Sequence, residues 1–278
     1  MNFKLKIAEL IILLSQNLFF VRGKVRTFIC ILLEKIINYD TKSDPKTSRI
    51  KTKIDGVPFY VYFDYMSDVK MAFGNYNKKE INFIKQHIAT NSTFVDVGSN
   101  MGFYTMNIAA IFPETNFFKI LSIEANPVMI ERQRDNIELL NQSKKGVKDK
   151  IILENYALSD MKGSLELDLD QGYGSASLSV KQSKNSITVQ SSTLMDILLK
   201  NKINNITCLK IDIEGHEDRA LVPFFKIAQR SLYPVNIVME FTSQQEWEDE
   251  PNLIEFLNQI GYETRLKTRG NICLSLIQ

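Results

Sequence analysis

The sequence predicts an α/β fold in which a mostly parallel sheet is covered by helices on both faces. From residue 94 onward, apolar segments of strand length alternate with segments whose apolar residues recur at helical spacing, which is typical of such sheets. Several strand-like segments carry an acidic residue near their carboxyl ends, where ligands of open α/β sheets bind. The last two strand-like segments are separated only by KTRG, which predicts an antiparallel hairpin at the sheet edge.

The N-terminal region is basic and predicts two amphipathic helices. Residues 1–53 contain eleven Lys and Arg against four acidic residues, a balance of +7, whereas the remainder balances at −5. Glu9 interrupts the first apolar run, and bulky residues stand where a signal peptide needs small ones for cleavage. The uninterrupted run Leu10–Leu14 is far shorter than the roughly 20 residues of a spanning helix. We expect these helices to pack on the body, to lie on an anionic membrane surface, or to join two subunits.

A polar stretch at residues 38–49, which includes Pro45, predicts a linker. It divides the chain into a basic helical extension, residues 1–50, and a single domain, residues 51–278. In the domain, a strand at residues 56–65 and a helix at residues 78–89 precede the alternating region.

Five main strands are predicted in the alternating region, at residues 94–97, 120–124, 151–158, 208–214 and 235–241. Helices are predicted at residues 103–111, from Pro127 onward, and at residues 252–261. Residues 163–198 interrupt the alternation with short strand-like pieces around a loop rich in Gly and Ser. We therefore predict a β insertion between the third and fourth main strands.

Composition narrows the range of function classes. Apolar residues make up 44% of the chain and charged residues 24%, as in ordinary globular proteins. The three cysteines have no CxxC spacing, which favours a reducing compartment and a cytoplasmic location. Two histidines exclude a histidine-rich metal site, while a carboxylate site for a divalent cation stays open.

The segment FVDVGSNMG, residues 94–102, predicts a strand that turns sharply into a helix beside a crevice. It departs from the dinucleotide fingerprint GxGxxG at Asn100 and Phe103, and it lacks the Gly-Lys-Ser/Thr of a P-loop. The remaining pattern is Asp96, Gly98, Asn100 and Gly102. An acidic residue is poorly placed beside a diphosphate but suits a ligand that carries an ammonium group.

Glu124 ends the next predicted strand and precedes the helix that Pro127 opens. A carboxylate in this position accepts hydrogen bonds from both hydroxyls of a ribose in related folds. The alternative is a charge that merely stabilises the helix N-terminus. A ribose and an amino group without a diphosphate site indicate S-adenosylmethionine.

The segment LKIDIEGHE, residues 209–217, places Asp212 and Glu214 at a strand end, on the same side of the strand. Two carboxylates repel each other unless a cation, a shared proton or a substrate hydroxyl lies between them. His216 stands at the start of the following helix. The alternative is that Glu214 and Glu217 cap that helix.

These segments resemble the FkbM family of class I methyltransferases. The resemblance rests on FVDVGSNMGFYTMNIA, SIEANPVMIERQRDNIELL, NYALSD, GYGSASL, STLMDIL and LKIDIEGHE, which occur in the family's order over about residues 90–245. It implies a Rossmann-like sheet of seven strands and S-adenosylmethionine-dependent O-methyl transfer, onto sugars, glycans or secondary metabolites. The extension is not explained by the resemblance.

The resemblance also implies roles for individual residues. Asp96, Gly98 and Gly102 are expected beside the methionine moiety, Glu124 beside the ribose, Tyr156 and Ala157 beside the adenine, and Asp212 facing the transferred methyl group. Asn100, which belongs to the loop pattern, is a further candidate cofactor-binding residue. The candidate catalytic residues are Asp212, Glu214 and His216. Glu240 is equally compatible with catalysis and with a buried structural role.

Two other classes stay open. A binding or assembly module would hold the ligand without turnover. A nucleic-acid methyltransferase is disfavoured because the body is acidic and because the sequence lacks an Asn-Pro-Pro-Tyr-like clamp for a flipped base.

Overall fold

A computed structural model describes residues 3–17, 29, 49–63, 66–74, 76–112, 118–169, 177–178, 186–241 and 252–277. Within these ranges the helices are α1 (Phe3–Asn17), α2 (Met66–Ala72), α3 (Lys78–His87), α4 (Phe103–Ile111), α5 (Pro127–Ser143), α6 (Leu194–Lys200), α7 (Glu217–Ile227) and α8 (Leu253–Gln259). The strands before the insertion are β1 (Arg49–Ile54), β2 (Val57–Tyr62), β3 (Thr93–Val97), β4 (Lys119–Ile123) and β5 (Ile151–Glu154). The insertion contains β6 (Ala157–Leu158), β7 (Gly163–Asp168), β8 (Ser177–Leu178) and β9 (Ser186–Ser192). The strands after it are β10 (Cys208–Ile211), β11 (Asn236–Glu240), β12 (Tyr262–Lys267) and β13 (Asn271–Leu276).

The main sheet has seven strands in the order β12-β13-β11-β10-β3-β4-β5. Neighbouring strands are parallel, except that β13 runs antiparallel to both β11 and β12. The prediction of an edge hairpin is thus confirmed. After β3 the chain builds the sheet outward through β4 and β5, and it then returns to place β10 on the other side of β3. This reversal opens a crevice at the carboxyl ends of β3 and β10.

The predicted third strand is split between two sheets. β5 ends at Glu154, and Ala157 and Leu158 pair instead with β9. The side-chain amide of Asn155 donates to the carbonyl oxygens of Glu124 and Ala125 at 2.8 Å each, which draws the chain out of the main sheet at this point. The predicted β insertion is confirmed as a second sheet in the order β6-β9-β7-β8.

Buried apolar side chains cover both faces of the main sheet. Neighbouring residues on β3 belong to different clusters, Phe94 to one and Val95 to the other, because successive side chains of a strand point to opposite faces. Every residue of β3 is buried, as expected of a central parallel strand. The sheet is therefore a rigid platform for the loops at its carboxyl ends.

Among the described side chains of the N-terminal helix, residues 6–13, those on one side contribute to the core. Ala8 and Ile12 of α1 are buried in the same cluster as Ile50 of β1. Leu10 and Leu13, on another side of α1, are 54% and 52% exposed. The second predicted amphipathic helix lies, apart from Ile29, outside the described residues, as does most of the predicted linker. In the part of the chain that the structure describes, no helix is long and apolar enough to cross a membrane.

Candidate active site

A pocket of about 240 Å³ lies at the carboxyl ends of the central strands. One end is formed by the loops after β3, β4 and β5, with the lining residues Gly98, Ser99, Asn100, Glu124, Tyr156 and Ala157. The other end is formed mainly by the ends of β10 and β11 and the segment before α3, with the lining residues Tyr76, Lys210, Asp212, Glu214 and Glu240. The structure thus brings together residues that lie far apart in the sequence.

The loop from β3 to α4 requires glycine at two positions. Gly98 has φ +65°, and a Cβ atom there would lie 1.8 Å from the carbonyl oxygen of Asp212. Gly102 has φ +87°, and a Cβ atom there would lie 2.7 Å from Cγ of Gln133. Glycine avoids both the contacts and the strain of the left-handed conformation. Gly98 lines the pocket, whereas Gly102 packs against α5 behind it.

Glu124 joins two loops at the pocket wall. Its Oε2 atom accepts a hydrogen bond from the backbone N–H of Asn100, and its Oε1 atom accepts one from that of Asn126, both at 2.8 Å. Burial raises the pKa of Glu124, whereas these two N–H groups favour its ionised form. A carboxylate oxygen accepts more than one hydrogen bond, so both atoms keep the capacity to bind a ligand.

Side chains of α5 support the same loop from behind. The fully buried Gln133 donates from Nε2 to Oγ of Ser99 at 2.9 Å and to the carbonyl oxygen of Asn100 at 3.0 Å. Nδ2 of Asn136 donates to the carbonyl oxygen of Met101 at 3.1 Å. The sequence analysis did not single out these amides. The only signal was two polar residues, three apart, on the buried side of an otherwise ordinary helix.

Asp96 lies beneath the pocket and is not among the described residues that line it. Its Oδ2 atom accepts hydrogen bonds from the backbone N–H and Oγ1 of Thr105, at 3.0 and 2.7 Å. Burial raises the pKa of Asp96, an effect that Lys210 and Thr105 oppose. The structure therefore places Asp96 under the loop, as a support for α4, and its predicted contact with the cofactor stays a prediction.

Lys210 is the main site residue that the sequence analysis missed. It is 4% exposed, and its Nζ atom donates to the carbonyl oxygens of Val97 at 3.1 Å and Gly98 at 2.8 Å. The same atom lies 3.7 Å from Asp96 and 3.8 Å from Asp212. A lysine within the apolar alternation of LKIDI was the available signal, and its register partner on β3 is Asp96.

Three carboxylates line the far end of the pocket: Asp212, Glu214 and Glu240. The backbone N–H of Asp212 donates to the carbonyl oxygen of Val97 at 3.2 Å, which fixes the start of the turn after β10. Asp212 and Glu240 directly follow Ile211 and Met239, which are paired on the adjacent strands β10 and β11. Burial, followed by the charges of Asp212 and Glu214, raises the pKa of Glu240 to about 8. Burial and the charge of Asp212 also raise the pKa of Glu214.

His216 and Glu217 occupy the start of α7, outside the lining of the pocket. Burial and the nearby Arg219 lower the pKa of His216, and its predicted catalytic role stays a prediction. Glu217 is fully buried, and its Oε1 atom accepts a hydrogen bond from the backbone N–H of Ile213 at 2.8 Å. Glu217, rather than Glu214, therefore has the structural role at this turn that the sequence left open.

Aromatic residues complete the pocket wall at the carboxylate end. Tyr76 packs edge-on against Phe103, at 5.2 Å between ring centroids. Burial, with the charge of Asp212 as the next cause, raises the pKa of Tyr76 to about 12. Tyr76 therefore stays a neutral hydrogen-bonding phenol at physiological pH.

For metals, no group of three or more His, Cys, Asp or Glu residues with suitable geometry occurs in the described ranges. The divalent cation that the sequence left open stays a prediction.

The strand order, the reversal between β3 and β10 and the pocket at their carboxyl ends define a class I methyltransferase fold. Residues 96–264 match the sequence profile described as the methyltransferase FkbM domain, and the chain belongs to this family. This confirms the resemblance found in the sequence motifs. Membership supports S-adenosylmethionine-dependent methyl transfer in general terms. No curated protein matches the chain.

Solved structures with similar folds share little sequence with this chain. The FkbM methyltransferase from Methylobacillus flagellatus is 13% identical with a TM-score of 0.47, over 77% of this chain and 53% of that protein. The chain thus spans about half the length of that relative. An rRNA methylase from Streptococcus thermophilus is 9% identical with a TM-score of 0.42, over 72% of this chain and 95% of its own. A Streptococcus mutans protein in complex with SAH is 10% identical with a TM-score of 0.42, over 72% of this chain and 97% of its own.

Proposed function

We propose that this protein transfers a methyl group from S-adenosylmethionine to a hydroxyl group of a sugar, a glycan or a secondary metabolite. The observation that carries the proposal is the composition of one continuous pocket. It joins Glu124 and the glycine loop at one end to Asp212, Glu214 and Glu240 at the other. The first end suits a nucleoside, and the second suits a hydroxyl group that must lose its proton.

The residues at the first end fit the cofactor. Glu124 has acceptor capacity left for the two ribose hydroxyls. Gly98 lines the pocket at a position where a side chain cannot fit, so a ligand can approach the backbone closely. Tyr156 and Ala157 supply apolar contact for the adenine. The acidic far end suits a ligand that carries positive charge.

At the second end, the protein's task is to align the acceptor and to take its proton. S-adenosylmethionine supplies an electrophilic methyl group when bound. Holding an acceptor oxygen in line with that group contributes up to roughly 7–11 kcal/mol to lowering the barrier. Asp212 and Glu240 line this end of the pocket, which supports one of them as the proton acceptor. Such general-base catalysis typically accelerates a reaction by about 10²–10⁴-fold. Tyr76 lines the same end of the pocket and offers the acceptor a phenolic hydrogen-bonding group.

Two alternative functions are weaker. A binding module without turnover has no use for a group of carboxylates beside the cofactor end of the pocket. A nucleic-acid substrate would bring its anionic phosphates close to Asp212, Glu214 and Glu240, which disfavours its approach.

The proposal is tested with radiolabelled S-adenosylmethionine offered with separate pools of glycans, small hydroxylated metabolites, RNA and DNA. Label in a glycan or small-molecule pool, lost in Asp212→Asn and retained in the surface variant Glu131→Gln, supports the proposal. Glu131 is the matched control because its side chain is 75% exposed, on the solvent side of α5. Label in RNA or DNA overturns the acceptor class. Tight cofactor binding with no labelled pool favours the binding module.

We also propose that α1 holds the enzyme reversibly at an anionic membrane surface on the cytoplasmic side. Leu10 and Leu13 are exposed on the side of α1 away from its buried residues. The charge of +7 over residues 1–53 complements anionic lipid headgroups. One apolar helix face with several basic residues supports surface attachment rather than insertion.

A further inference from the structure

We propose that Glu240 is a catalytic residue that holds a proton against the carboxylate of Asp212 and releases it when S-adenosylmethionine occupies the pocket. The inference deepens the proposed function and rests on it. It assigns the role of proton acceptor to Glu240, and it implies that Glu240 is ionised only while the methyl donor is bound.

The geometry places the two carboxylates side by side. β10 and β11 are adjacent parallel strands, and Ile211 of β10 pairs with Met239 of β11. Asp212 directly follows β10 and Glu240 is the last residue of β11, so the two residues lie at the same level and on the same side of the sheet. Both side chains line the pocket. Two carboxyl groups that share a site in this way disfavour double ionisation, and a proton held between them removes the repulsion.

The charges around Glu240 favour this proton. Asp212, Glu214 and Glu217 face it from the end of β10 and the start of α7, and Tyr76 faces it from the segment before α3. Lys210 lies 3.8 Å from Asp212, but its Nζ atom is already shared among Asp96 and the carbonyl oxygens of Val97 and Gly98. Lys267 on β12 lies over the ring of Phe241 instead, 4.2 Å from its centroid. Negative charge therefore dominates at Glu240, and a proton relieves it, in agreement with its pKa of about 8.

A positive charge in the same pocket reverses this balance. The sulfonium of S-adenosylmethionine is positive, whereas its demethylated product, S-adenosylhomocysteine, has a neutral thioether at the same position. Two charges a few ångströms apart in a partly buried site interact strongly enough to shift a titration across neutral pH. Glu240 thus loses its proton to solvent when the donor binds.

The proton balance then closes over one reaction cycle. The ionised pair accepts the proton of the acceptor hydroxyl while the oxygen forms its bond to the methyl carbon. The sulfur keeps the electrons of the broken carbon–sulfur bond and becomes neutral. The proton stays on Glu240 until the next donor molecule enters the pocket and drives it into solvent. The products are the methylated acceptor, the thioether and one released proton.

Isothermal titration calorimetry tests the inference without any acceptor. Each ligand is titrated at pH 7.5 in phosphate and in Tris, whose ionisation enthalpies differ, so that the difference in heat counts the protons released. We expect binding of S-adenosylmethionine to release about half a proton or more beyond that released by S-adenosylhomocysteine. Equal proton counts for the two ligands overturn the inference. If neither ligand binds, the proposed function itself fails, and this inference fails with it.

Variants assign the proton to Glu240. Glu240→Gln, which keeps the size of the side chain, is expected to abolish the difference between the two ligands. Asp212→Asn provides a second route, because removing this negative charge favours the ionised form of Glu240 before the donor arrives and so reduces the difference between the ligands. Glu131→Gln, a variant of the exposed helix α5, is expected to keep the full difference. A difference that persists in both Glu240→Gln and Asp212→Asn places the proton elsewhere and overturns the assignment.

Discussion

The ammonium group of Lys210 connects the floor of the pocket to its carboxylate end, because it lies 3.7 Å from Asp96 and 3.8 Å from Asp212. It also donates hydrogen bonds to the backbone of the glycine loop at Val97 and Gly98. A single buried charge thus holds two parts of the site. One is the glycine loop, which is expected to contact the cofactor, and the other is Asp212, which is expected to contact the acceptor.

Lys210→Met is therefore expected to destabilise the protein and to weaken cofactor binding. Removing one partner of a buried ion pair costs about 3–5 kcal/mol of unfolding free energy, since the other charge is left uncompensated. Chemical denaturation and calorimetry with S-adenosylhomocysteine measure the two effects. Lys162→Met is the matched control: this lysine also pairs with an aspartate, but it is 66% exposed, so we expect a loss of only about 0–1 kcal/mol. Equal losses in both variants would contradict the role of burial.

Gly98→Ala is expected to abolish cofactor binding. A Cβ atom at this position would lie 1.8 Å from the carbonyl oxygen of Asp212, so the loop and the turn after β10 must move apart. Gly146→Ala separates this clash from backbone strain, because Gly146 also has positive φ, +78°, but meets nothing within 4 Å. We expect Gly146→Ala to cost about 1–2 kcal/mol in stability and to bind S-adenosylhomocysteine normally. Normal binding by Gly98→Ala in calorimetry would refute the close approach.

Glu124→Ala is expected to weaken binding of S-adenosylhomocysteine by about 1–3 kcal/mol, or roughly 5- to 150-fold, through lost hydrogen bonds to a charged group. Glu124→Gln keeps one acceptor oxygen and is expected to lose less. Because Glu124 also accepts two backbone hydrogen bonds, thermal unfolding without ligand is measured in parallel. An affinity unchanged in both variants would remove Glu124 from the ribose site.

The stability of the protein is expected to fall as the pH rises from about 4.5 towards 7 because of Glu217. Burial raises the pKa of Glu217 in the folded protein to about 7 from its ordinary value of 4.5. Between pH 4.5 and 7 the folded state therefore binds more protons than the unfolded state. The stabilisation that protonated Glu217 gives below pH 4.5 is lost as the pH rises through this range. Glu217→Gln is expected to reduce the loss of unfolding free energy between pH 5 and pH 8 by on the order of 3 kcal/mol. Urea denaturation of the parent and of Glu217→Gln at pH 5 and pH 8 measures this difference. An identical loss of unfolding free energy in the two proteins would show that Glu217 does not titrate in this way.

The two sides of α1 are expected to respond differently to mutation. Leu10→Ser combined with Leu13→Ser changes exposed residues, so we expect stability within about 0.5 kcal/mol of the parent and reduced co-sedimentation with anionic vesicles. Ile12→Ala opens a cavity in the core and is expected to cost about 2–5 kcal/mol. Vesicle binding that is undiminished in the double variant, or insensitive to high salt, would argue against surface attachment.

Much of the fold was predictable because the alternation of strand-like and helix-like segments in the sequence follows the order in which the chain builds the main sheet. The alternation of strands and helices predicted the parallel sheet, the short KTRG connection predicted the edge hairpin, and Pro127 marked the first turn of α5. The split of the third strand was not predictable. It depends on hydrogen bonds from Asn155 to the carbonyl oxygens of Glu124 and Ala125, which lie 31 and 30 residues earlier in the sequence.

The sequence by itself determined the family, the mostly parallel sheet with its edge hairpin and a set of candidate site residues, because glycines, strand-end acids and their spacing are local features. Only the tertiary structure decided which of them meet. It moved Asp96 beneath the pocket and brought Lys210 between two carboxylates. It left His216 outside the pocket lining and paired Glu240 with Asp212 across adjacent strands. Contacts between neighbouring strands depend on strand order and register, and burial then sets the protonation of the groups that meet. Neither is encoded in any short stretch of the chain.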